Sequence, residues 1–268
     1  MCLIVWADRA HPDLPFVLVA NRDEQHARAA LPADWRPAGP PYLAGLDAKA
    51  GGSWLAYQPH ARFAAVTNVR QLPFRDDWKH SRGRLVVDWM AMGQRWPAFA
   101  QQAESESADT GPFNLILRED GTLRYCGNRP AWHDSLIKGG IHGISNAALD
   151  TPWPKLQACK RGLVRWLQAV AESLVEAEQL APQLIEPLFV MMRDSQAVPD
   201  DQLPDTGIGL PRERLLSSPF IASDQYGTRC TTLIIEWRDG RWLFVERRFG
   251  PLGAALGQSE FSGKIDRS

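Results

Sequence analysis

Pairs of short apolar runs, each pair broken by a few turn residues, constrain this chain more than any other feature. Residues 2–7 and 16–20 are apolar and rich in strand formers, and His11-Pro12-Asp13 between them is turn chemistry. Residues 53–57 and 63–67 flank Gln58-Pro59-His60, with Gly51-Gly52 just ahead. Residues 114–117 and 122–126 flank Glu119-Asp120-Gly121, and residues 231–237 and 242–247 flank Asp239-Gly240. A short turn joins neighbouring strands antiparallel. The sheets are therefore expected to be mainly antiparallel, which excludes Rossmann and TIM arrangements, where single strands alternate with helices.

Helical spacing places Leu85, Trp89 and Met92 on one face over residues 83–92. A short helix is expected over 98–103, and the clearest one over about 155–177, through Leu156, Leu163, Trp166, Leu167, Val170 and Leu174. Another follows over 181–193, and residues 141–145 form a further strand. Residues 31–41 carry Pro32, Pro37, Pro40 and Pro41 and are expected to be irregular. Loops are expected over 104–110 and 198–214, and the last dozen residues, small and polar, are expected to fray. The order is strands, helix, strands, two helices, strands. It suits two antiparallel sheets covered by helices, in one domain over residues 1–268.

A chain of 268 residues buries a core large enough to need neither metal nor disulfide for stability. The net charge of −1 speaks against a nucleic-acid binder. Cys2, Cys126, Cys159 and Cys230 form no CxxC pair and no zinc pattern, and read as free thiols in a reducing compartment. The six histidines lack ligand spacing, and no phosphate-binding glycine motif is present, so no metal or nucleotide is expected. The apolar run after Cys2 stops at Asp8-Arg9, and no stretch is long enough to span a membrane. A cytoplasmic location is expected.

Cys2 follows the initiator methionine, and cysteine is small enough for aminopeptidase removal of Met1. Removal would leave a thiol and a free α-amine, of reference pKa about 7.7–8.0, on one residue. That is a nucleophile with its own base. The alternative is a buried cysteine opening a core strand. Asn21-Arg22-Asp23-Glu24 follow the second apolar run, and the hairpin brings them to Cys2. There Arg22 would favour thiolate and Asp23 would hold the α-ammonium; the alternative is a solvated strand end. Asn68 and Asn146 end apolar strands, where an amide suits an oxyanion, although asparagine is common at turns. Trp54, Trp132 and Trp153 lie near loops and would frame a ligand.

These residues stand in a pattern that resembles the NRDE family, also called the transport-and-Golgi-organisation family. The shared pieces are Met1-Cys2-Leu3-Ile4, Ala20-Asn21-Arg22-Asp23-Glu24, Gly51-Gly52-Ser53-Trp54-Leu55, Thr67-Asn68 and Phe113-Asn114-Leu115-Ile116. Gly143-Ile144-Ser145-Asn146-Ala147 follows, with Leu149-Asp150-Thr151-Pro152-Trp153 and Lys155, then Tyr226-Gly227-Thr228-Arg229. The resemblance implies the fold of the N-terminal-nucleophile hydrolases, a four-layer αββα sandwich, with the bile-salt and penicillin-V amidases as analogues. It implies Cys2 as nucleophile, Arg22 and Asp23 as its partners, and Asn68 and Asn146 at the oxyanion. Arg229 is similar to a late active-site arginine, and Asn21, Glu24 and Trp54 are implied substrate contacts. In the amidases two residues separate the Arg from the Asp, whereas here they adjoin, so Asn21 or Glu24 stays open for either role. The implied activity is hydrolysis or acyl transfer on a small amide or thioester. The alternative is a non-catalytic protein that binds and moves haem or an acyl chain, and a third reading makes Cys2 a redox-sensitive thiol. The expected partner is a small molecule, with haem only as a carried ligand.

Overall fold

The computed structural model describes residues 2–37, 39–75, 77–91, 95–173 and 182–265. The elements in order are β1 (Cys2–Asp8), β2 (Phe16–Gln25), β3 (Ala30–Arg36), β4 (Tyr42–Asp47), β5 (Leu55–Gln58) and β6 (Arg62–Asn68). Next come α1 (Arg82–Ala91), α2 (Trp96–Ser105), β7 (Phe113–Glu119), β8 (Thr122–Gly127), β9 (His133–Ile137) and β10 (Gly140–Ile144). The chain continues through α3 (Pro154–Ser173), α4 (Pro182–Met192), α5 (Leu210–Leu215), β11 (Tyr226–Glu236), β12 (Arg241–Phe249) and β13 (Ala255–Lys264). A six-stranded sheet runs β10-β1-β2-β11-β12-β13 and a seven-stranded sheet runs β3 through β9 in sequence order. Every strand pairing is antiparallel, as the hairpin pattern requires.

Strand alternation sorts the apolar side chains into three cores. Leu3, Val5, Val17 and Val19 meet Leu156, Leu163, Leu188 and Phe189 of α3 and α4. On the opposite face Ile4, Trp6, Phe16 and Leu18 pack between the sheets against Leu55, Tyr57, Phe63 and Ile116. The far face of the second sheet, with Ala64 and Leu115, meets Leu85, Val86, Trp89 and Phe99 of α1 and α2. The layers are helix, sheet, sheet, helix: the expected αββα sandwich.

Two expectations fail at sheet edges. Residues 30–36 are not irregular but form β3, and the register shift between Leu31 and Asp34 lets Pro32 sit where no ladder N–H is needed. The last dozen residues are not frayed as far as they are described: β13 pairs with β12 through Lys264, and Phe261 packs on Phe244 and Trp35. Their polarity reflects an exposed edge strand rather than a loose end. The loop expected over 198–214 contains the start of α5, and β4 and β9 carried too weak an alternation to be seen. Met92, Leu174 and the ends of the helices expected over 155–177 and 181–193 fall partly outside the described residues.

Between the sheets, at the end where β2 begins, Arg118 forks onto both oxygens of Glu236, which also accepts from the Tyr57 hydroxyl and the His60 N–H. Both charges are almost fully buried. Removing one member strands the other in hydrocarbon, at a cost of about 3–5 kcal/mol. Glu236→Gln should therefore lower the unfolding free energy from urea denaturation by that order, while Arg118→Met with Glu236→Leu should cost clearly less. Equal losses in equilibrium unfolding would contradict this.

Where β10 turns toward α3, His142 Nδ1 lies 2.7 Å from Asp150, and Lys160 Nζ lies 2.6 Å from the same carboxylate. Burial works against the Asp150 charge, but the bonds from His142, Lys160 and the Gly143 N–H prevail and hold its pKa at about 2. The hydrogen bond to Asp150 raises His142. A raised histidine stabilises fully below its unfolded value, about 6.5, and that contribution is lost as pH rises through the folded value. Thermal melts from about pH 5 to about pH 9 should show this loss. Asp150→Asn should melt lower at the acid end and show a flatter alkaline decline; parallel profiles would rule the linkage out.

Candidate active site

The site begins with a register. β1 and β2 pair Cys2 with Arg22, and β2 and β11 pair Arg22 with Cys230. Asn21-Arg22-Asp23-Glu24 do not follow the second strand; they are part of it. Adjacent residues of a strand point to opposite faces, so the pair expected to act together divides around the sheet. Arg22 turns toward the second sheet, its guanidinium carbon 4.2 Å from the centre of the Trp54 ring. Asp23 turns toward the helical layer, where Thr228 Oγ1 donates to its Oδ1 at 2.6 Å.

Cys2 is half-buried on the floor of a cleft of about 900 Å³, with Arg22, Asp23, Glu24, Trp54 and Asn68 among the lining residues. Burial pushes the thiol up, and the Asp23 charge adds to this; Arg22 and the Asp23 backbone N–H pull it down. Burial also raises Asp23, against the favourable charges of Lys155 and Arg22. A second arm of about 870 Å³ shares Glu24, Asn68 and Arg82 with the first. Its wall is more apolar, with Val69, Leu72, Phe74, Ile208, Leu215 and Tyr226. The thiol thus lies in the polar arm, and Glu24, Asn68 and Arg82 stand where that arm meets the apolar one.

A hydrogen-bonded seam joins the sheets beside Cys2. Ser145 Oγ is 3.0 Å from the Cys2 carbonyl and 3.2 Å from Asn146 Oδ1. Thr67 Oγ1 donates to the Ser145 carbonyl at 2.6 Å, and Asn146 Nδ2 donates to the Asn68 carbonyl at 2.8 Å. Asn114 Nδ2 closes the seam on Thr67 Oγ1 and the Ala147 carbonyl. Asn146 is buried and serves first to hold Asn68, whose side chain lies at the junction of the two arms.

The other expected contacts divide between the scaffold and the cleft. Asn21 is buried, with Nδ2 donating to the Met192 and Pro219 carbonyls and Oδ1 accepting from Thr231; its amide is occupied in holding the helical layer. Arg229 donates to the Gln25, His26 and Arg28 carbonyls, fastening the turn after β2, and is not among the residues lining either arm. Glu24 lies on the cleft, accepting the Gln25 N–H. Trp132 packs on Phe113, and Trp153 lies under Arg70.

Three participants had no assigned role in the sequence reading. Thr228 and the buried Lys155 flank Asp23, and Lys155 donates to the Leu216 carbonyl. Arg82, at the start of α1, reaches the cleft because Gly52 and Gly83 let the helix approach the second sheet. A Cβ on Gly52 would lie 2.5 Å from the Gly83 carbonyl carbon. Lys155 and Thr228 stood in shared motifs, but Arg82 carried no local signal, since only the packing of α1 turns it inward.

A sequence profile described as Transport and Golgi organisation 2 matches residues 1–251. The chain belongs to that family. It is 32% identical over 246 residues to the human Transport and Golgi organization protein 2 homolog, covering 86% of this chain and 85% of the relative. It is 26% identical over 269 residues to Transport and Golgi organization protein 2 of Drosophila melanogaster, covering 92% and 91%. Among solved structures it is similar to a mutant conjugated bile acid hydrolase from Clostridium perfringens, at TM-score 0.45 and 8% identity, over 100% of this chain and 97% of that one. It is also similar to an N-acylethanolamine-hydrolyzing acid amidase ortholog of Caenorhabditis elegans, at TM-score 0.37 and 10% identity, over 87% and 92%. For this member of the family, the charges around Cys2 set the sign of two changes. Asp23→Asn should lower the thiol pKa and Arg22→Gln should raise it. Alkylation rates by iodoacetamide, followed against pH, read both; unchanged or reversed shifts would show that neither charge acts on the sulfur.

Proposed function

We propose that the protein is a cysteine N-terminal-nucleophile hydrolase or acyltransferase that acts on a small amide or thioester through Cys2. The observation that carries this reading is a half-buried thiol opening on a cleft, in register with Arg22 and beside Asn68. Met1 lies outside the described residues, and its removal is part of the proposal. The Cys2 α-amine then takes the thiol proton, and the sulfur adds to the substrate carbonyl. Arg22 offsets the developing thiolate, and the Asp23 carboxyl orients the ammonium. The carbonyl becomes an oxyanion that accepts from the Asn68 side-chain amide, with Asn146 holding Asn68 and adding its second N–H. Collapse expels the amine or thiol, which takes back the proton, and leaves an acyl-thioester on Cys2. Water or another acceptor completes the cycle.

The apolar arm supports an acyl group as the part retained on sulfur. It also favours a second reading, in which the same cleft carries an acyl chain or haem with no reaction. Among the described residues no group of metal-ligating side chains occurs, and no helix is long and apolar enough to cross a membrane. The free, buried thiols of Cys126, Cys159 and Cys230 suit a reducing, cytoplasmic setting.

Cys2→Ala should abolish turnover of a panel of short acyl amides and thioesters while leaving the circular dichroism spectrum and melting temperature near those of the parent. Intact mass should show Met1 removed. Turnover that survives in Cys2→Ala, or a retained Met1 on active protein, would falsify the nucleophile assignment. Ligand binding with no turnover in the parent would favour the carrier.

A further inference from the structure

We propose that Arg22 and Arg82 form an anion subsite beside Cys2, so that the ligand carries an oxyanion, carboxylate or phosphate, next to the group that meets the thiol. This rests on reading the Cys2 cleft as the ligand site. The arginines lining the cleft fall into two sets. Arg28, Arg75 and Arg84 each have a carboxylate within 3.0 Å: Asp47, Asp77 and Asp88. Arg22 and Arg82 have none that close among the described residues.

The Arg22 side chain is only 6% exposed, and its Nη1 has no hydrogen-bond acceptor among the described residues. Its Nη2 comes no nearer than 4.0 Å to Asp47, a carboxylate that already holds Arg28 at 2.7 Å and accepts the Lys49 and Ala50 N–H groups. The Trp54 ring offers the guanidinium a π face but no lone pair in its plane. Among the described residues Arg82 makes one long bond, 3.5 Å to the Pro112 carbonyl. It is half-buried and packs closely enough on Gly111 that a Cβ there would lie 2.5 Å from its Nη1. Burial lowers its pKa, against the charges of Glu24 and Cys2.

A buried guanidinium with an open N–H is costly unless an acceptor arrives. The planar fork matches carboxylate and phosphate oxygens, which a neutral amide serves less well. Of the acids on the cleft, Asp47 is taken by Arg28 and Asp23 accepts from Thr228. Glu24 accepts the Gln25 N–H and sits 4.0 Å from Arg28. The ligand supplies the missing negative charge.

The test uses full-length Cys2→Ala, in which binding is read without turnover, so that absence of hydrolysis by the parent is a separate result. Calorimetry compares N-octanoylglycine with N-octanoylglycinamide, which differ only in a terminal carboxylate against a neutral carboxamide. The acid should bind about tenfold more tightly, a difference of about 1.4 kcal/mol. Arg22→Gln and Arg82→Gln, each added to Cys2→Ala, should remove most of that preference. If Arg22→Gln fails to fold, Arg82→Gln carries the comparison. Competition by acetate or by inorganic phosphate identifies which oxyanion the subsite takes. Equal affinities for acid and amide, a preference that survives in folded arginine variants, or displacement by neither anion would overturn the proposal.

Discussion

The pairing of Cys2 with Arg22 across the first two strands is the constraint on which the site depends. Antiparallel register is pinned by which side chains face which core, and a slip of one residue would exchange every pair of faces. Ile4, Trp6, Phe16 and Leu18 belong between the sheets, while Leu3, Val5, Val17 and Val19 belong under the helices. Eight apolar side chains thus hold the register that puts a cysteine and an arginine side by side at the end of the same two strands. The cost of moving them is far greater than that of any single polar contact at the site.

The same alternation explains how four consecutive polar residues do different work. Asn21 and Asp23 enter the helical layer, where one ties α4 and the chain before β11 to the sheet and the other meets Thr228. Arg22 enters the space between the sheets and Glu24 reaches the cleft. The second sheet supplies the opposite wall. Trp54 lies beneath Arg22, and the Thr67–Ser145–Asn146 seam fixes Asn68 relative to the Cys2 carbonyl. The close approach of Gly52 to Gly83 then admits Arg82.

Two buried arginines at opposite ends of one sandwich show how structure and site differ. Arg118 spends its fork on Glu236 and is further enclosed by Tyr57 and His60, which makes it a joint between the sheets. Arg22 is equally buried, yet its nearest carboxylate is at 4.0 Å and already engaged. A bidentate buried ion pair stabilises one arrangement of the chain; a buried guanidinium without a close carboxylate favours whatever brings the missing charge.

Much of this was legible in the residues. The hairpin signals determined antiparallel sheets, the apolar faces of residues 83–92 and 155–177 determined covering helices, and the closeness of Cys2 to Arg22 followed from one short turn. Edge strands escaped because an exposed edge is polar and tolerates proline, as in β3 and β13. By itself the sequence determined which residues form the two cores of β1 and β2, because period-two alternation is a local property. Only the tertiary structure decided that Asn21 and Arg229 brace the scaffold while Arg82 enters the cleft. A side chain's hydrogen-bond partners can lie more than two hundred residues away, and only packing determines whether its polar atoms meet a carbonyl or an open space.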